Sequence, residues 1–106
     1  MATIAFDVDG TLTTDYGERP DPRYEIINLL ITLSNLDNRI IVWSGGGADY
    51  ALSWARKLGL LRHNVYKCLS KTKENAIAEG VDITFDDQFI GLGKVNIRVS
   101  NHGVNK

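Results

Sequence analysis

Cysteine is almost missing: Cys68 stands alone in 106 residues, so no disulfide can form within the chain. That excludes a disulfide-stapled scaffold and leads us to expect a reducing, cytoplasmic setting. Two histidines beside one cysteine are too few for a typical zinc cluster. No apolar run approaches the length of a membrane span. The first residues lack the basic flank and long apolar stretch of a signal peptide. Charge of one sign is not in excess: the net charge is −1, which argues neither for nor against a nucleic-acid partner. Internal repeats and low-complexity segments are also absent.

What is present fits one small domain with one core, residues 1–106, and leaves no room for a second domain or a large lid. Residues 2–6 are apolar and β-branched enough for a buried strand. Residues 10–20 hold Gly, Thr, Asp and Pro and read as a loop. Asp21 is expected to cap a helix with Pro22 at its first position, and Ile26, Leu29, Leu30, Leu33 and Leu36 repeat at helical spacing. Arg39 to Trp43 is a second strand, apolar on both faces from Ile40, as a covered parallel sheet requires.

A helix follows from about Ala48 to Leu58, with Ala51, Trp54, Ala55 and Leu58 on one stripe and Gly59 as its stop. Asn64 to Leu69 is a weaker strand. Ser70 or Thr72 then caps a short helix ending near Gly80. Val81 to Phe85 and Val95 to Val99 complete five strands, and residues 100–106 read as a frayed tail. Strands alternating with helices predict an α/β fold, a doubly wound parallel sheet with helices on both faces. Ligands in such sheets sit beyond the carboxyl ends of the strands.

The polar residues collect at those ends. Asp7 and Asp9 follow strand one, Ser44 strand two, Lys71 strand three, and Asp86 and Asp87 strand four. Two carboxylates one residue apart, at Asp7-Val8-Asp9-Gly10-Thr11, are costly unless a cation or a shared proton holds them. Removing these four acids from the chain's 13 leaves nine against 12 basic residues, a mildly basic remainder that suits an anionic substrate.

A phosphate monoester near Asp7 would use every member of this set. Mg²⁺ relieves the repulsion between an attacking carboxylate and a phosphate dianion, and it selects hard oxygen ligands. Asp7, the Asp9 carbonyl and Asp86 are the candidate ligands, with Asp87 as a further one. Ser44 offers a hydroxyl, Gly45 to Gly47 offer amides at a helix start, and Lys71 offers positive charge. Asp9 projects past Asp7, where it can protonate a leaving group and then activate water. Lys73 and Lys67 are the alternatives to Lys71.

This set, in this order, resembles the haloacid dehalogenase superfamily of aspartate-nucleophile phosphatases. The family's first motif matches Asp7-Val8-Asp9-Gly10-Thr11, its second matches Ile40-Ile41-Val42-Trp43-Ser44, and its fourth matches Ile83-Thr84-Phe85-Asp86-Asp87. The resemblance implies Asp7 as nucleophile, Asp9 as general acid and base, and Asp7, the Asp9 carbonyl and Asp86 as magnesium ligands. It covers about residues 2–90.

Only about eight residues separate Thr13 from Asp21, so the chain resembles the capless subgroup. An open site then admits bulky phosphates, unless another subunit covers it. Small phosphorylated metabolites are the favoured substrate class. Val42-Trp43-Ser44-Gly45-Gly46-Gly47 also resembles the phosphatase domains of polynucleotide end-repair enzymes, which often carry Arg where this chain has Gly46. A non-catalytic module that binds Mg²⁺ or a partner is the other class. Receiver domains share the fold and residue types, but their phosphorylated Asp follows the third strand, where this chain has none.

The remaining candidates carry plainer readings beside the functional ones. Arg19 and Arg23 flank the first loop and either hold a substrate anion or stay solvated. Trp43 and Trp54 read as core, His63 and His102 as surface, and Cys68 as a small buried residue.

Overall fold

A computed structural model of the chain describes residues 1–14 and 19–100. The elements are β1 (Thr3–Asp7), α1 (Tyr24–Asn35), β2 (Arg39–Ser44), α2 (Ala48–Lys57), a 3-10 turn (Leu60–His63), β3 (Val65–Ser70), α3 (Lys73–Glu79), β4 (Ile83–Asp86) and β5 (Val95–Arg98). The strands form one parallel sheet in the order β3-β2-β1-β4-β5. The chain is therefore α/β and Rossmann-like. Among the described residues, no helix is long and apolar enough to cross a membrane.

Successive strand residues point to opposite faces, and in β1 and β2 both faces are buried. Ile4, Phe6, Ile40 and Val42 meet Ile27 and Leu30 of α1 and Ala51 and Ala55 of α2 in one cluster. Ala5, Ile41 and Trp43 meet Ala76 of α3, together with Val81, in a second. This is why the two central strands are unbroken apolar runs. At the sheet edge, β5 is exposed along its whole length.

Register places the functional residues. Phe6 pairs with Phe85, and their rings stack at 4.7 Å and 11°, so Asp7 and Asp86 leave the sheet side by side. Asp7 pairs with Trp43, which puts Ser44 one step beyond, and Ser44 pairs with Ser70, after which Lys71 follows.

Several boundaries differ from expectation. Asp21 and Pro22 do not open α1; its cap is Arg23, with no side-chain capping bond. The segment is held extended instead. Thr13 bridges Pro22, Thr14 N–H donates to the Asp21 carbonyl at 2.9 Å, and Arg23 N–H donates to the Leu12 carbonyl at 2.8 Å. These bonds tie the chain before the helix to the loop that follows Asp9.

The buried centre of α1 is Ile27, Leu30 and Ser34, whereas Leu36 is exposed. A serine was not readable as core, but its hydroxyl donates to the carbonyl of His63 in the 3-10 turn. That turn was not anticipated. Gly59 and Asn64 flank it, both with left-handed backbones, and end the neighbouring elements. Thr72 rather than Ser70 caps α3, its hydroxyl accepting from the Asn75 amide at 3.1 Å. Strands β4 and β5 are shorter than expected, Ile83–Asp86 and Val95–Arg98. Of the tail, residues 101–106, with His102, lie outside the described residues, as do residues 15–18 of the first loop.

Candidate active site

Lys71 is the centre of the arrangement. Its ammonium donates to Asp7 Oδ1 at 3.1 Å and to Asp86 Oδ2 at 2.9 Å. The position is set by backbone geometry: Lys71 N–H donates to the Ser44 carbonyl at 2.9 Å, which pins the end of β3 against the end of β2. Lys67 lies elsewhere, paired with Glu79 at 2.8 Å on the surface, and Lys73 is exposed in the first turn of α3. Of the three lysines, Lys71 is the one whose ammonium reaches the carboxylates.

Asp7 and Asp86 are almost fully buried, at 4% and 1% exposure. Carboxylate oxygens of Asp7, Asp86 and Asp87 lie within 4.8 Å of one another. Burial, then the neighbouring charge of Asp86, pushes the Asp7 carboxyl up to about 7 from its usual 3.8, against the pull of Lys71. Burial works against the charge on Lys71, but hydrogen bonds and attraction from Asp86 and Asp7 outweigh it and hold its pKa above the ordinary value. The ammonium thus bridges two buried carboxylates, with Asp87 within 4.8 Å of both. Asp86 is steadied further by the Gln88 amide, which donates to Oδ1 at 3.0 Å.

Gly10 shows why the first motif needs a glycine. Its φ is +82°, a conformation side chains rarely adopt, and a Cβ there would lie 2.1 Å from Asp87 Oδ2. The turn lets Asp87 close down on the backbone between β1 and β4. Arg23 holds the same turn from outside, donating to the Gly10 carbonyl at 2.8 Å while its other nitrogens meet Glu25. The Arg23 side chain is thus held against the turn, at 13% exposure, rather than solvated. Arg19 is exposed.

Ser44 is buried, and its hydroxyl accepts from the Gly46 amide at 3.0 Å. That bond uses one acceptor lone pair and leaves the hydroxyl proton without an acceptor among the described residues. Gly47 is the cap residue of α2. Gly45 is exposed, and a Cβ built on it would meet nothing within 4 Å.

A hollow of about 190 Å³ is lined by Asp7, Asp9, Ser44, Gly45, Gly46, Lys71, Asp87 and Gln88. Almost every residue expected at the site therefore borders one cavity. Asp9 differs in character: it is exposed, and its Oδ1 accepts from the Tyr50 hydroxyl at 2.7 Å. Burial, then the Asp9 carboxylate, raises the Tyr50 pKa, so the phenol stays a donor.

Tyr50 and Gln88 were missed by sequence reasoning. Tyr50 had a signal, since it lies in the first turn of the helix that the glycine loop opens. Gln88 had only its place after the paired acids. Trp43 is core, as expected, although its indole N–H has no partner among the described residues. Cys68 is half-buried and burial raises its thiol pKa, which disfavours the reactive thiolate.

Comparison of the chain with family models, curated proteins and solved structures gave no match.

Proposed function

We propose that the protein is a magnesium-dependent phosphohydrolase that cleaves phosphate monoesters through an aspartyl-phosphate at Asp7. The fold would be the doubly wound sheet of a capless haloacid dehalogenase-like enzyme. One observation carries the reading: a single half-buried ammonium, Lys71, bridges Asp7 and Asp86 at a sheet edge where Asp87 supplies a third carboxylate.

The residues fit the ion. Asp7, Asp86 and Asp87 are hard oxygen donors in mutual reach. They would hold Mg²⁺, with the Asp9 carbonyl as a further ligand. When bound, the ion neutralises phosphate charge and draws electrons from phosphorus.

The side chains then divide the work. Asp7, with one oxygen on Lys71, attacks phosphorus with the other. Lys71 and Ser44 hold phosphate oxygens, and Gly45 lines the same hollow. Asp9 gives a proton to the departing oxygen, and in the second half-reaction takes one from the water that cleaves the aspartyl-phosphate.

The favoured substrate is a small phosphorylated metabolite in a cytoplasmic setting. A Cβ at Gly45 would meet nothing within 4 Å among the described residues, and that open position favours a second reading, a polynucleotide 3′-phosphate. Hydrolysis of p-nitrophenyl phosphate in Mg²⁺, lost in EDTA and lost in Asp7→Asn, is the expected result. Turnover by folded Asp7→Asn protein contradicts the mechanism. Absence of any hydrolysis supports a non-catalytic module that binds the ion or a partner. A panel of sugar and nucleotide phosphates beside a 3′-phosphorylated oligonucleotide, with light scattering for subunit number, separates the substrate classes.

A further inference from the structure

Tyr50 has no part in the chemistry described above, yet it makes the single side-chain hydrogen bond to Asp9 among the described residues. It sits in the first turn of α2, and its hydroxyl reaches 41 residues back along the sequence to Asp9 Oδ1. At 2.7 Å this is a well-formed O–H···O hydrogen bond. Asp9 needs such help more than its neighbours do. Asp7 and Asp86 are locked by burial and by Lys71, whereas Asp9 is exposed at the rim.

A second observation comes from the other side of the ring. Gly46 is not among the residues with positive φ, so its backbone conformation does not demand glycine. A Cβ at Gly46 would instead lie 3.3 Å from Cγ and Cδ2 of the Tyr50 ring and 3.4 Å from Ser44 Oγ. The missing side chain makes room for the ring to lie across the glycine loop, and the ring delivers the hydroxyl to Asp9.

We infer that Tyr50 is a positioning residue for Asp9, seated by Gly46 and holding the proton-transfer carboxylate in one orientation at the mouth of the site. The inference rests on the phosphohydrolase reading. With Oδ1 engaged by the phenol, Oδ2 is the oxygen that carries the proton. In the first half-reaction the Asp7–phosphorus bond forms, the bond from phosphorus to the leaving oxygen breaks, and the Asp9 proton moves to that oxygen. In the second, water attacks phosphorus, Asp9 takes its proton and Asp7 is released. Tyr50 exchanges no proton in either.

Leaving-group dependence separates this role from a structural one. An alkoxide needs a proton as it departs, and p-nitrophenolate does not. In Tyr50→Phe, kcat/KM for an alkyl phosphate should fall roughly tenfold, while kcat/KM for p-nitrophenyl phosphate stays within about twofold. Independently of turnover, the ¹³C resonance of the Asp9 carboxyl should move in Tyr50→Phe. Equal losses on both esters, unchanged rates, or a gain in rate would overturn the assignment, as would an unmoved resonance. A wild-type protein inactive on both esters overturns the phosphohydrolase reading itself, and with it the catalytic sense of the contact.

Discussion

Replacing Asp7 by Asn should stabilise the metal-free protein while it removes activity. Asp7 is buried beside Asp86, and its carboxyl sits at about 7 in the folded chain against 3.8 for the free group. The folded state therefore holds this proton over a pH range where the unfolded chain has lost it. The stabilising contribution is fully present below 3.8 and is lost as pH rises to about 7. That gap corresponds to a cost of about 4 kcal/mol for keeping the charge buried above neutrality, at roughly 1.4 kcal/mol per tenfold.

Asparagine keeps the shape and removes the charge, but it weakens one contact to Lys71. A net gain of about 1–3 kcal/mol is therefore expected near pH 8, and about none near pH 4. Urea unfolding of both proteins in EDTA across that range reads the effect directly. Saturating Mg²⁺ should shrink or reverse it, because the ion stabilises the carboxylate form. A destabilised Asp7→Asn protein near pH 8 in EDTA, or a gain that ignores pH, would refute the electrostatic account of the cluster.

Other outcomes follow from the same geometry. Lys71→Met leaves Asp7, Asp86 and Asp87 facing one another, so metal-free stability should drop by about 1–3 kcal/mol near pH 8 and hydrolysis should vanish; denaturation with and without Mg²⁺ measures the first. Gly10→Ala forces a Cβ against Asp87 at a φ of +82°, so it should cost at least about 2 kcal/mol and weaken Mg²⁺ binding by calorimetry. Phe85→Ala removes the ring stacked on Phe6 beneath Asp7 and Asp86 and should cost about 3–5 kcal/mol in thermal or urea unfolding.

The sheet and the membership of the site were legible because both depend on strongly patterned residues. Unbroken apolar runs in β1 and β2 announced strands covered on two faces. Polar residues then had to gather where those strands stop. Lys71 directly follows the third strand, and the ammonium contacts single it out from Lys73 and Lys67.

What escaped notice depended on contacts distant in sequence. Asp21 and Pro22 form a sound local helix start, but bridging to Thr13 and Thr14 keeps them extended. Ser34 is polar in isolation and becomes core only because the His63 carbonyl arrives opposite it. Arg23 resembled a free cation until the Gly10 carbonyl claimed it. Tyr50 meets Asp9 across 41 residues, and no local periodicity encodes that meeting.

The most direct test of the central claim is to quench the wild-type protein during turnover in Mg²⁺ and reduce it with borohydride. Peptide mass analysis then identifies the modified residue. The account predicts that Asp7 carries the phosphoryl group and is converted by reduction, with Asp9, Asp86 and Asp87 untouched. Sustained hydrolysis with Asp7 unmodified, or modification at another carboxylate, would contradict it.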